Sequence, residues 1–225
     1  AATITQSGVK HHNTASACPV SRIPTTLDLW RLTSRLDLTY PSDLPIPEDD
    51  GACAHLPNSS FPTVSLLATS GSQIDISTLS ALTILFCYPR TGAPGENVPD
   101  SWNAIPGARG CTPQACSFRD AADRLLELGV SHVFGMSTQG TDYQREVRER
   151  LHLPYQLLSD EGLELTRALR LPTFEWEGKT LCKRLTLAVS DGQIVKVWYP
   201  VFPPDKSAQE VVDWLENDWR GKGHV

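Results

Sequence analysis

A continuous apolar run, Leu82–Tyr88, constrains the fold of this chain more than any other segment. A strand that is buried on one face alternates between apolar and polar residues, whereas this run does not alternate and is rich in residues that favour strands. Pro89 follows and ends the run. We therefore expect a central strand that is covered on both faces, as in α/β proteins with helices on either side of a sheet.

Strand and helix patterns alternate along the rest of the chain from Phe61 onwards. The patterns predict strands over Thr63–Thr69, Ile74–Ile76, Val130–Ser137, Cys182–Ser190 and Gln193–Tyr199, and helices over Thr112–Leu128, Asp142–Leu151, Leu163–Leu169 and Ser207–Trp219. Asp191-Gly192 is a strong signal for a two-residue hairpin turn. Parallel βαβ units followed by an antiparallel hairpin predict an α/β fold with a central mixed sheet flanked by helices, and a thioredoxin-like fold is one such arrangement.

The first 60 residues have a different texture. We interpret 1–60 as an N-terminal extension with one helix, Thr25–Leu38, and a proline-rich linker near residues 41–50. Residues 61–225 then form a single domain, which suits a chain of 225 residues.

Composition excludes several classes of function. A formal charge of -6 argues against nucleic acid as a partner, and no apolar run is long enough to span a membrane. The six cysteines include no Cys-x-x-Cys pair, so we expect neither a metal site nor a cofactor, and we expect free thiols in a reducing, cytoplasmic compartment.

The segment Gly110–Asp120 carries the chemistry. Cys111 lies at the predicted start of a helix, where free backbone N–H groups and the helix dipole stabilise a thiolate, and Arg109 lies two residues before it. Cys116 follows about one helical turn later, which is too far for an unstrained disulfide on a formed helix. A bridge between Cys111 and Cys116 therefore requires the first turn to unwind.

This segment, Gly-Cys-Thr-Pro-Gln-Ala-Cys-Ser-Phe-Arg-Asp, resembles the peroxiredoxin Q (bacterioferritin comigratory protein) branch of the peroxiredoxin superfamily, the AhpC/TSA type. The flanks agree, because Phe86–Pro89 and Lys183–Gly192 are similar to the family's strand before the active-site loop and its arginine-bearing strand. The resemblance covers about residues 61–219 and implies a thioredoxin fold. It implies a thiol peroxidase that acts on hydrogen peroxide or organic hydroperoxides and is re-reduced by a thioredoxin-like protein. Whether the protein forms a homodimer stays open at this point.

The resemblance also implies roles for individual residues. Cys111 takes the place of the peroxidatic cysteine and Cys116 that of the resolving cysteine, so that a Cys111 sulfenic acid becomes a Cys111–Cys116 disulfide. Arg184 takes the place of the arginine that steadies the thiolate and the peroxide oxygens.

The sequence departs from the family pattern before the cysteine. The family places a proline seven residues before it, whereas Pro89 precedes Cys111 by 22 positions, which implies an insertion of about 15 residues. Ala108 occupies the position of the peroxide-binding threonine, and we expect Thr91 to take that role instead. We expect the insertion, Thr91–Gly110, to be an ordered or semi-ordered, non-helical wall of the pocket with Trp102 near Cys111. Such a wall should favour a substrate that is bulkier or more apolar than hydrogen peroxide.

Alternatives remain open at this point. Pro106-Gly107-Ala108 and Thr112-Pro113 also resemble an atypical two-cysteine branch, in which Cys116 would be the nucleophile; the Gly-Cys-Thr match favours Cys111. The insertion and the replaced threonine leave room for other chemistry on the same fold, such as sulfur handling or a natural-product step, or for a non-enzymatic redox sensor.

Overall fold

A mixed seven-stranded sheet forms the centre of the protein. The computed structural model describes residues 44–219, and the predicted helix Thr25–Leu38 lies outside them. The main sheet has the order β2-β1-β5-β4-β3-β8-β9, and β6 pairs with β7 separately. The strands are β1 Ser65–Ala68, β2 Gln73–Asp75, β3 Thr83–Cys87, β4 His132–Ser137, β5 Gln156–Ser159, β6 Thr173–Trp176, β7 Lys179–Cys182, β8 Leu185–Ser190 and β9 Gln193–Trp198.

Helices cover both faces of this sheet. The α-helices are α1 Asp100–Asn103, α2 Cys111–Asp120, α3 Ala122–Glu127, α4 Thr141–Arg150, α5 Glu164–Ala168 and α6 Ser207–Trp214, with 3-10 turns at Ile76–Thr78 and Pro204–Lys206 and a π turn at Leu215–Trp219. Within the range 44–219 no helix is both long and apolar enough to cross a bilayer.

Strand β3 is the central strand that its sequence predicts. It is parallel to β4 and antiparallel to β8, and all five of its residues are buried. Ile84 and Phe86 pack into a cluster with α2, α3, α4 and α6, whereas Leu85 and Cys87 pack into a second cluster with α5. Because successive strand residues point to opposite faces, one apolar run supplies both halves of the core.

Two antiparallel hairpins, β6–β7 and β8–β9, follow each other in the chain. Asp191 and Gly192 both have positive φ values, 48° and 71°, as a tight two-residue turn requires, so the predicted β8–β9 hairpin is confirmed. The β6–β7 hairpin uses the same type of turn at Glu177 and Gly178, with φ values of 49° and 72°. Cys182, predicted to begin the long strand, instead ends β7, and β8 begins at Leu185.

The predicted helix Thr112–Leu128 is two helices. Ala121 has φ −93° and ψ 0°, which departs from helical geometry and separates α2 from α3. The hydrogen bonds from Ala121 N to Ser117 O and from Leu125 N to Ala121 O continue on either side of it. The interruption is therefore local, and Leu125 still reaches the same apolar cluster as Phe118.

The segment before the first strand packs on the domain. Cys53, Leu56 and Phe61 are buried in the cluster on the α5 face, and Asn58 and Phe61 bond through their backbones to β9 and to its turn. Residues from about 53 onwards therefore contribute to the core, while the division of the chain at residue 60 stays a prediction.

Candidate active site

Cys111 is the first residue of helix α2. Gly110 precedes it as the N-cap with φ 104°, a left-handed conformation that favours glycine, and no side chain caps the helix. Thr112, where the sequence predicted the helix to begin, lies inside the first turn instead. The Cys111 side chain is buried at the N-terminus of a ten-residue helix, and its Sγ lies 3.6 Å from the Ala108 carbonyl oxygen.

The guanidinium of Arg184 contacts the Cys111 sulfur. Arg184 Nη2 lies 3.2 Å from Cys111 Sγ, although 73 positions separate the two residues in the chain. The arginine is buried and also donates to the carbonyl oxygens of Gly107, Ala108 and Arg109, at 3.1 to 3.3 Å. The structure thus joins the predicted nucleophile to the predicted arginine and fixes that arginine to the loop just before the cysteine.

A buried glutamine completes the support of Arg184. Gln114 Oε1 accepts a hydrogen bond from Arg184 Nη1, and Gln114 Nε2 donates to Ser207 Oγ at 3.3 Å. The Ser207 hydroxyl lies 3.1 Å from Thr186 Oγ1 on strand β8. This chain of polar groups connects α2, α6 and β8, and the sequence-based reasoning missed it. Gln114 lies three residues after Cys111, the helical spacing that places two side chains on one face.

Cys116 lies further along α2 and is buried among apolar side chains. Burial raises the pKa of its thiol, while nearby Arg119 lowers it to a smaller extent. Five residues of ideal helix separate Cys116 from Cys111, which corresponds to roughly 8–9 Å between their Cα atoms, beyond the ~7 Å limit for a disulfide. Both are free thiols here.

Thr91 is buried beside the insertion. Its backbone N–H and hydroxyl donate to Gln139 Oε1 at 2.9 and 3.2 Å, and its carbonyl accepts from Tyr143. Among residues 44–219, no hydrogen bond recorded for Thr91 reaches Cys111 or Arg184. The structure therefore gives Thr91 a role in anchoring the start of the insertion, and its predicted role toward peroxide stays a prediction.

The inserted segment contains a short helix, so the expectation of a non-helical segment is wrong. Trp102 on α1 packs edge-on against Trp176 with ring centroids 4.9 Å apart and lies 6.0 Å from Phe174. The Arg90 guanidinium lies over both indoles, 4.9 Å from Trp176 and 5.8 Å from Trp102. Trp102 thus belongs to a separate apolar cluster from Cys111 and fastens the insertion to the β6–β7 hairpin.

The end of the insertion lines a cavity that reaches Arg184. This cavity has a volume of about 410 Å³, and its walls include Ile105, Pro106 and Gly107 from the insertion and Pro89 and Phe174 from the domain. Arg184 lines this cavity and also contacts Cys111 Sγ, so one residue connects the cavity to the sulfur. The expectation that the insertion walls a pocket near the site agrees with this arrangement.

Comparison with known proteins identifies the family of the chain. The model of the family described as Redoxin matches residues 56–212. Peroxiredoxin Q, chloroplastic, of Gentiana triflora is 31% identical over 109 residues, which are 48% of this chain and 49% of that protein. The Arabidopsis thaliana protein of the same name is 28% identical over 59% of this chain and 54% of its own length. The chain spans about half the length of the curated relatives that it matches first.

Solved structures share the same fold. Peroxidoxin BcpB from Mycobacterium tuberculosis superposes with a TM-score of 0.59 at 25% identity, over 72% of this chain and 97% of that one. Peroxiredoxin Q from Xanthomonas campestris has a TM-score of 0.55 at 18% identity, over 78% of this chain and 98% of its own. At this identity the likeness supports the fold alone. The thioredoxin-like fold is therefore confirmed, and since the family match spans well over half of its residues, the chain belongs to the redoxin family, in the peroxiredoxin Q branch.

Proposed function

We propose that the protein is a thiol-dependent peroxidase in which Cys111 reduces hydrogen peroxide or organic hydroperoxides. The contact between Arg184 Nη2 and Cys111 Sγ at 3.2 Å, at the first residue of a helix, is the observation that carries this proposal. A guanidinium and a helix N-terminus are groups that commonly activate a cysteine sulfur as a nucleophile. The family to which the chain belongs supports the same chemistry.

In the first step, the Cys111 thiolate attacks one oxygen of the hydroperoxide and the O–O bond breaks. The sulfur keeps the attacked oxygen as a sulfenic acid, and the other oxygen takes a proton and leaves as water or alcohol. Arg184 holds the thiolate before attack, and its charge opposes the negative charge that develops on the departing oxygen.

In the second step, Cys116 condenses with the Cys111 sulfenic acid. The sulfur of Cys116 forms the S–S bond, and the sulfenic oxygen leaves as water with the thiol proton. The distance along the helix prevents this while α2 is intact, so the first turn must unwind. Burial holds the Cys116 thiol protonated until then, because it raises the thiol's pKa.

In the third step, a thioredoxin-type dithiol reduces the Cys111–Cys116 disulfide by thiol exchange and is itself oxidised. We propose that the protein works in a reducing compartment such as the cytoplasm, because all five cysteines within residues 44–219 are free thiols. A homodimer is a further proposal, which sedimentation velocity can test.

A coupled assay tests the function. Thioredoxin, its reductase and NADPH are mixed with the protein, and peroxide-dependent NADPH oxidation is followed with hydrogen peroxide and with cumene hydroperoxide. We expect turnover with wild-type protein and none with Cys111→Ser, while Cys87→Ser, a buried cysteine on β3, serves as the matched control. If wild-type protein consumes neither peroxide stoichiometrically nor catalytically, the proposal is wrong.

A further inference from the structure

A short segment before the family-matched residues lies across the cavity beside Arg184. Residues 47–50, here termed the strap, contribute Pro47, Glu48 and Asp50 to the cavity wall. The family match begins only at residue 56, so the strap is outside the part of the chain that the family describes. The strap therefore adds a wall to the cavity from outside the family-matched residues.

The strap meets the insertion over the cavity. A Cβ atom placed on Gly107 would lie 3.3 Å from the ring of Pro47, which shows how closely the two segments approach. Gly107 has φ 72°, and its carbonyl accepts a hydrogen bond from Arg184. The strap therefore contacts the insertion at Gly107, the first of the three residues whose carbonyls bind the arginine.

Asp50 fastens the strap to the domain. Its carboxylate accepts a hydrogen bond from Lys183 Nζ at 2.8 Å and another from the Tyr199 hydroxyl at 2.9 Å. These two contacts lower the pKa of Asp50 to about 2, Lys183 having the larger effect, so the carboxylate stays charged throughout the neutral range. Lys183 precedes Arg184 in the chain, and the strap is therefore tied to the arginine-bearing segment itself.

The chemistry of the cavity indicates what it would hold. Ile105, Phe174, Val201 and several proline rings form its walls. Of the two cationic side chains in its lining, Lys183 is neutralised by Asp50 and Arg184 is engaged with Cys111. Its volume of about 410 Å³ is many times the ~30 Å³ that a water molecule occupies, so it is far larger than hydrogen peroxide requires.

On the basis of the proposed function, we propose that the strap completes a binding site for an uncharged organic hydroperoxide and thereby sets the preference over hydrogen peroxide. The apolar group lies between the strap and residues 105–107, while the peroxide group points past Arg184 towards Cys111. The strap acts as a specificity-determining wall: it contacts the organic group and takes no part in breaking the O–O bond.

Rate constants for two substrates test this inference. The ratio of kcat/KM for cumene hydroperoxide to that for hydrogen peroxide is measured in wild type, Asp50→Ala and Tyr199→Phe. Loosening the strap should lower the ratio up to about fivefold in Asp50→Ala, the range expected for loss of a partly exposed ion pair. Tyr199→Phe keeps the ring in the wall and removes only the hydroxyl, so a smaller fall in the same direction is expected.

Glu216→Gln is the matched control, because it breaks another exposed ion pair, with Arg124, whose members do not line the cavity. Its ratio should equal that of wild type. An unchanged ratio in folded Asp50→Ala and Tyr199→Phe would overturn the inference, and so would an equal loss of both rate constants.

Binding of the product alcohol separates this inference from the proposed function. 2-Phenyl-2-propanol at millimolar concentrations should shift the amide NMR signals of Ile105 and Phe174 in reduced wild-type protein, and more weakly in Asp50→Ala. Absent turnover in wild type refutes the peroxidase, whereas turnover without these shifts refutes the binding site.

Discussion

Replacing Arg184 with lysine keeps a positive charge near Cys111 but removes the planar fork that the site uses. Arg184 donates to the Cys111 sulfur, to Gln114 and to three backbone carbonyls. An ammonium group has three donors, so at least two of these five acceptors lose their partner. Loss of a charged hydrogen bond to the thiolate costs about 1.5–3 kcal/mol, which corresponds to a roughly 10- to 150-fold slower reaction with peroxide.

The rate constant for hydrogen peroxide is measured by stopped-flow fluorescence with Arg184→Lys, Arg184→Ala and wild type. Thermal unfolding reports on stability, which we also expect to fall, because the buried Ala108 carbonyl loses its guanidinium donor. Arg124→Lys is the control, since Arg124 is exposed and its partners are surface carboxylates. Folded Arg184→Lys and Arg184→Ala proteins with rate constants within twofold of wild type would refute the assigned role.

Three further predictions address the cysteines, the insertion and the opening of α2. Cys116→Ser should leave one turnover and a sulfenic acid that a dimedone probe traps on Cys111, and mass-spectrometric detection of the label on position 116 in Cys111→Ser would reverse the assignment. Trimming residues 92–106 to a glycine linker should change the relative rates for hydrogen peroxide and cumene hydroperoxide, and a folded variant with unchanged relative rates would show that the insertion does not select substrates. Tyr155→Phe removes the 2.6 Å hydrogen bond to the Ala115 carbonyl and should lower the free energy of unwinding α2 by about 1 kcal/mol. Disulfide formation after one peroxide addition should therefore be about fivefold faster. An unchanged or slower rate in stopped flow would contradict this.

The parts of the fold that the sequence predicts correctly are those with a local physical cause. The uninterrupted apolar run became β3, and Asp191-Gly192 became a turn because both residues can adopt positive φ. The β6–β7 hairpin was missed, since its turn begins with Glu177, a residue that rarely adopts φ 49°. Strand β5 was missed as well, because none of its four residues, Gln-Leu-Leu-Ser, is β-branched or aromatic.

In the candidate site as well, local sequence predicts some features, and others depend on contacts between distant residues. The position of Cys111 at a helix start follows from local sequence, apart from a shift of the helix start onto the cysteine itself. Its contact with Arg184 spans 73 residues and was expected only through the family resemblance. The tie between Asp50 and Lys183 spans 133 residues and links two exposed charges, for which no periodicity or turn signal exists. Long-range polar contacts of this kind depend on the finished fold.

The hydrogen-bond chain through Gln114 has a consequence for the proposed cycle. Gln114 lies between the two cysteines, so unwinding residues 111–116 to form their disulfide must carry it away from Arg184. The arginine then loses both the sulfur and the glutamine, and its remaining partners are the carbonyls of residues 107–109. Those carbonyls belong to the end of the insertion, where Gly107 packs against Pro47 of the strap. Oxidation would therefore separate Cys111 and Gln114 on α2 from Arg184, while Arg184 stays bound to the carbonyls of residues 107–109. After reduction, only one helical turn has to refold, and it does so beside an arginine that is already positioned.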